Sequence, residues 1–235
     1  MRRKGGLGFL PIHVDDTAET RFFRSLDLAG KTVYDIGGFE GVLTLFFASK
    51  AREVVTFEPN PRNYQRCVEN VRLNNLANVR VLNRGVSSAA GELEMIYDPL
   101  MPGAASANNE IGRQIKSSVK TSQTLRIPVA TLDADIQSLD LPTPEFIKID
   151  IEGMELHALQ GMSGTLAAYH PRLFIELHGA EMADKIENAT AVIKFLEQQG
   201  YSVYDVENAV YITSTEVQTP PPSHLFCTMP RDGRD

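Results

Sequence analysis

Short apolar runs rich in β-branched residues alternate along this chain with stretches of helical period. Residues 32–36, 54–57, 79–82, 146–150 and 173–177 read as strands. Between the first two, residues 42–49 are too apolar to lie anywhere but against a sheet. Tyr64, Cys67, Val68 and Val71 stripe one face of the next helix, which Asn60 caps, Pro61 opens and Asn74–Asn75 ends. Ahead of the first strand, residues 16–28 place Phe22, Phe23 and Leu26 at helical spacing after an Asp-Thr start. Residues 92–97 alternate as an extra strand, 125–129 look extended, 132–139 form a short helix and 155–159 begin another. Ile186, Ala189, Ile193 and Leu196 stripe a later helix closed by Gly200, and residues 201–206 and 225–228 supply late strands that add an antiparallel edge.

This alternation predicts a doubly wound, mostly parallel α/β sheet with helices on both faces. Residues 1–235 read as one domain, in which 1–28 form a helical lead-in. Residues 99–124 break the pattern: they turn to Ala, Ser, Asn, Gly, Gln and Lys without a sustained period and are too long for a routine connection. The expectation is a substrate loop overhanging the strand tips, the plainer alternative being a surface excursion.

The first strand ends in a glycine turn, VYDIGGFEG over residues 33–41, and a second acid, Glu58, follows Gly41 by about 17 residues. Glycines admit close approach of backbone to ligand, and ligands of open α/β sheets sit at the strand ends. A carboxylate at the tip of the second strand can accept hydrogen bonds from both hydroxyls of a ribose. A dinucleotide turn needs a middle glycine where this chain has Phe39, which disfavours a nicotinamide-dependent oxidoreductase. The Asp-x-Gly-x-x-x-Gly pattern instead resembles the first motif of class I S-adenosylmethionine-dependent methyltransferases, whose cofactor has cationic groups that favour the acid Asp35.

A second constellation, FIKIDIEGMELHALQG at residues 146–161, crowds Lys148, Asp150, Glu152 and Glu155 into one strand, turn and helix start. Charged groups among isoleucines need partners, so a structural ion-pair network competes with chemistry as the explanation. With Glu176 and His178 in LFIELHG, these blocks together resemble the FkbM family of methyltransferases. The matching segments are YDIGGFEG, VTFEPNP, VATLDADI, FIKIDIEGMELHALQGM and PRLFIELHG, in that order, over roughly residues 30 to 180.

The resemblance implies a seven-stranded class I methyltransferase fold, S-adenosyl-L-methionine as cofactor, and O-methylation of a hydroxyl on a sugar or small natural product. It implies that Asp35, Gly37, Gly38 and Gly41 surround the methionine end and that Glu58, with Pro59 and Asn60, takes the ribose. Gly85, Val86 and Ser87 fall where the adenine is approached. Members of the family commonly carry Ala-Asn where this chain has Gly38-Phe39, so Phe39 narrows the cofactor mouth or stacks near the substrate.

Candidate catalytic residues are His178, as a neutral base, and Asp150 and Glu152 at the neighbouring strand end. No resident metal is expected; a Mg²⁺-assisted version through Asp150, Glu152 and Glu176 ranks second. His157 is read as packing or surface, and nothing singles out His13, His170 or His224. A non-catalytic S-adenosylmethionine-binding protein is the remaining alternative.

Composition narrows the partners. A formal net charge of -7 disfavours nucleic acid, whose binding rests on Lys and Arg. Residues 1–4 carry the charge of an export signal without its apolar core, and no apolar run is long enough to span a bilayer, so a cytoplasmic protein is expected. Cys67 and Cys227 sit in apolar patterns and read as buried free thiols.

Overall fold

Residues 17–230 are described in a computed structural model of the chain. Residues 1–4, His13 and Asp16 lie outside them. In chain order the elements are α1 (Ala18–Ser25), β1 (Thr32–Ile36), α2 (Val42–Ala48), β2 (Glu53–Phe57), α3 (Pro61–Leu73), β3 (Val79–Leu82), β4 (Gly85–Val86) and β5 (Gly91–Asp98). There follow β6 (Met101–Ser106), α4 (Asn109–Ser118), β7 (Gln123–Ala130), α5 (Leu132–Ser138), β8 (Phe146–Ile149), α6 (Glu155–Gln160) and α7 (Ser163–Tyr169). The chain closes with β9 (Arg172–Glu176), α8 (Met182–Gln198), β10 (Ser202–Asp205), β11 (Val210–Ile212) and β12 (His224–Thr228).

The main sheet has eight strands in the order β11-β10-β12-β9-β8-β1-β2-β3. The five from β9 to β3 run parallel, and β1 lies at their centre with all five residues buried. Pleating sends Tyr34 and Ile36 into the core shared with α5 to α8, and Val33 into a second core with Phe23 of α1 and Phe47 of α2. Burial of a side chain such as Phe47 or Leu159 contributes roughly 1.5–3 kcal/mol, so both helical layers are held by apolar packing.

One expectation about the sheet is corrected: its strand count is eight rather than seven, because β11 adds a further antiparallel strand beside β10. The late strands β12 and β10 extend the sheet beyond β9 as an antiparallel pair, as expected, with β12 paired to both β9 and β10. The pairing with β9 sets His224 opposite Glu176.

The segment 99–124 is folded rather than irregular. It supplies β6 and α4, and with β4, β5 and β7 it completes a separate four-stranded sheet, β4-β7-β5-β6. Its periodicity is faint because α4 buries only Ile111 and Gly112, the glycine lying so close to Ile96 that a Cβ would meet Cδ1 at 2.6 Å. Asn108 caps the helix by accepting the N–H groups of Glu110 and Ile111. Both cysteines are buried and free.

Candidate active site

The carboxyl ends of β1, β2 and β8 meet the second sheet around a cavity of about 240 Å³. Its wall includes Gly37, Phe39, Glu58, Pro59, Gly85 and Val86 together with Asp150 and Glu152. Leu93, Met95 and Ile127 of the second sheet form an apolar roof. Gly37 has φ +84°, and a Cβ there would fall 1.8 Å from the Asp150 carbonyl oxygen, so the turn after β1 passes the end of β8 at a distance only glycine permits.

Glu58 is almost sealed from solvent. Its two oxygens accept the N–H groups of Phe39 and Asn60, each at 2.8 Å, which locks the carboxylate onto the glycine turn and leaves a lone pair on each oxygen for a ligand. Burial pushes its pKa up to about 7, against the opposing effect of those two backbone donors. Phe39 makes its contact at φ +50°, a left-handed conformation that bulky residues rarely adopt.

Asp35 is withdrawn from the cavity, contrary to the role expected of it. It is fully buried behind the turn, where Oδ2 accepts the Thr44 hydroxyl at 2.6 Å and Oδ1 lies 3.7 Å from Lys148 Nζ. Lys148 donates to Asp150 Oδ2 at 3.0 Å and to the Gly37 carbonyl at 3.2 Å. Burial opposes its charge, but Asp150 and Asp35 outweigh that and raise its pKa. Asp35 and Lys148 therefore position Asp150, and it is Asp150 rather than Asp35 that reaches the cavity wall.

Gly38, Gly41, Asn60 and Ser87 also stand off the cavity. Gly38 packs against Thr56 and Gly41 against Cys67, while the Asn60 side chain caps α3 through the Arg62 N–H. Ser87 faces an adjoining groove that shares Leu93, Ala107, Val129 and Met154 with the cavity. His157 is exposed on that groove.

His178 follows β9 and stands beside the cavity among carboxylates. Nδ1 is 3.0 Å from Glu155 Oε1, while Nε2 is 3.6 Å from Asp150 Oδ1, 3.7 Å from Glu152 Oε2 and 3.5 Å from Glu176 Oε1. Burial alone would lower its pKa, but the hydrogen bond to Glu155 and the nearby carboxylates of Glu176 and Glu152 outweigh it and raise it to about 11. These carboxylates favour the charged imidazole, which weighs against the neutral-base role expected of it. Glu152 adopts φ +54° in the turn after β8, and burial raises its pKa to about 7 despite the opposing charge of His178. The turn is tied to the second sheet, since the Ser106 hydroxyl donates to the Glu152 carbonyl at 2.6 Å and Asn108 Nδ2 to that of Gly153 at 3.1 Å.

His224 escaped the sequence reading, and Glu155, named there only within the charged cluster, was given no role. Glu155 is fully buried, accepts the Gly153 N–H and the Asn188 amide, and anchors His178. His224 hydrogen-bonds Glu207 and lies 3.8 Å from Glu176, although it is 46 residues further along the chain than His178 and was singled out by no local pattern.

A doubly wound sheet with this cavity at its carboxyl edge is the class I methyltransferase fold. Residues 35–203 match the methyltransferase FkbM domain, and the chain belongs to that family. It is 28% identical over 146 residues to the hexuronic acid methyltransferase AglP of Haloferax volcanii, a match covering 62% of this chain and 55% of AglP. It is also 28% identical over 159 residues to the methyltransferase sdnD of Sordaria araneosa, covering 55% of this chain and 60% of sdnD. Methyltransferase FkbM from Methylobacillus flagellatus KT superposes with a TM-score of 0.56 at 20% identity, over 91% of this chain and 48% of that one. The chain thus spans roughly half to three-fifths of the length of these proteins. Among the described residues no helix is long and apolar enough to cross a membrane.

Proposed function

We propose that this chain binds S-adenosylmethionine in the cavity and methylates a hydroxyl group of a sugar or small natural product. The observation that carries the reading is that one cavity wall joins Glu58, a buried carboxylate with acceptor capacity to spare, to Asp150 and Glu152. That donor set fits the cofactor: Glu58 would hold the ribose hydroxyls, Gly85 and Val86 would flank the base, and Asp150 beside Gly37 would face the ammonium group. The bound cofactor supplies a methyl group activated by its sulfonium, the C–S bond breaking as the C–O bond forms and the bonding pair staying on sulfur.

The chain's own part is alignment and proton removal. Orientation can supply about 7–11 kcal/mol of barrier lowering in favourable cases. Of the three candidate groups, Glu152 is the one on the cavity wall that is not tied to Lys148, its Oε2 lying 3.7 Å from His178 Nε2, and it is assigned the acceptor's hydroxyl proton. Asp150 stays tied to Lys148 and His178 acts by position. The adjoining groove, with Ser87, Glu92, Asn108 and Glu110 along it, gives a polyhydroxylated acceptor a polar approach, and the 99–124 segment would serve as its wall. That AglP is described as acting on a hexuronic acid supports the sugar assignment.

Titration calorimetry with S-adenosylhomocysteine and with NAD tests the reading, followed by single-turnover methylation of candidate hydroxylated acceptors. Binding of the homocysteine product with a loss of about 10²–10⁴-fold in methyl transfer for Glu152→Gln is expected. Preference for NAD would overturn the cofactor assignment, and undiminished transfer by Glu152→Gln would overturn its role as base.

A further inference from the structure

Three carboxylate oxygens surround the Nε2 atom of His178 at 3.5 to 3.7 Å, and none is closer. Direct charge-assisted hydrogen bonds would be nearer 2.7–2.9 Å. Ligands sharing one ion at metal–oxygen distances of about 2.1 Å stand about 3 Å apart when adjacent on an octahedron and about 4.2 Å apart when opposite. The spacing around Nε2 lies within that window. Asp150, Glu176 and His178 each offer one ligating atom, all within 4.8 Å of one another.

An independent feature concerns the other ring nitrogen. Nδ1 is bonded to Glu155, a carboxylate with no solvent exposure that is itself held by the Gly153 N–H and the Asn188 amide. A buried acceptor on one nitrogen of an imidazole, with the opposite nitrogen turned toward further ligands, is how proteins orient a metal-binding histidine. Asp150 is similarly divided: Oδ2 is occupied by Lys148 and Oδ1 faces His178.

We propose that Asp150 Oδ1, Glu176 Oε1 and His178 Nε2 form a site for one divalent cation, with Glu155 as the positioning residue behind the imidazole. Two carboxylates and one imidazole suit Mn²⁺ best, with Mg²⁺ the weaker hard alternative. Because Asp150 also lines the cavity, open coordination positions would face the acceptor; this role, unlike the cation site itself, rests on the proposed methyl transfer. A second grouping, Glu19, Glu176 and His224, shares Glu176 but does not reach the cavity wall through any of its members.

The test is Mn²⁺ alone added to the full chain, with free Mn²⁺ followed by its paramagnetic resonance signal. One bound ion per chain is expected. His178→Gln and Glu176→Gln should each weaken binding at least about 10-fold, and Glu155→Gln by about 10–100-fold. His224→Gln should change it by less than about threefold. Mn²⁺ should raise the melting temperature of the wild type and not that of His178→Gln, a comparison that also checks that the variant folds. Wild-type protein that leaves the cation free at millimolar concentration, binding unchanged by His178→Gln, or loss that follows His224→Gln instead would each overturn the site. Titration of S-adenosylhomocysteine in the presence of a chelator keeps the two readings apart, since cofactor binding without Mn²⁺ binding removes only the cation.

Discussion

The ammonium of Lys148 lies 3.7 Å from the carboxylate of Asp35, its register partner on the neighbouring strand, and both are almost completely shielded from solvent. A buried charge without its partner is costly. Lys148→Met should therefore destabilise the fold by about 3–5 kcal/mol in urea unfolding, because Asp35 and Asp150 would lose their shared cation. The double variant Asp35→Asn/Lys148→Met should be less damaged than the sum of the two single changes. Additive losses would show that the pair is not coupled.

Cofactor affinity should depend on pH through Glu58. Its pKa of about 7 means that protonation sets in as pH falls through neutrality, replacing an acceptor by a donor where ribose hydroxyls are to be held. Lys148 and Asp35 act on it in opposite senses, and burial outweighs both. Affinity for S-adenosylhomocysteine should be full above pH 8 and fall about tenfold by pH 6. Calorimetric titration across this range should show the limb in the wild type and a flat profile in Glu58→Gln.

Asn108 ties α4 to the turn after β8, capping the helix with its oxygen and holding the Gly153 carbonyl with its amide. Asn108→Ala should cost about 0.5–2 kcal/mol of stability through the lost cap and reduce methyl transfer more than it reduces cofactor affinity. Thermal unfolding, turnover and calorimetry measure the three effects. An equal loss of cofactor affinity and turnover would place the segment at the cofactor rather than the acceptor.

Phe39 holds a left-handed backbone that asparagine tolerates far better. Such strain is of order 1–3 kcal/mol, and the ring is only partly buried. Phe39→Asn should raise stability by about 1 kcal/mol and leave the N–H to Glu58 in place. A fall in the urea midpoint would mean that ring packing outweighs the strain.

What the sequence by itself determined is local. The β-branched runs, the stripe of α3, the glycine turn and the acids at the ends of β1, β2 and β8 follow from periods of two and 3.6 and from single-residue chemistry, and these read directly. They also placed Glu58, Asp150, Glu152 and His178 at strand ends, where the structure has them. Weak periodicity concealed β6 and α4, the helix burying only Ile111 and Gly112. Only the tertiary structure decided which side of the glycine turn each acid occupies. Register between β1 and β8 pairs Asp35 with Lys148 inside the protein and leaves Asp150 on the cavity wall. Insertion of β12 beside β9 brings His224 to Glu176, and the packing of α6 and α8 buries Glu155 behind His178. Those relationships join positions far apart in the chain, and pairing of that kind is set by which strands become neighbours, a choice no local pattern encodes.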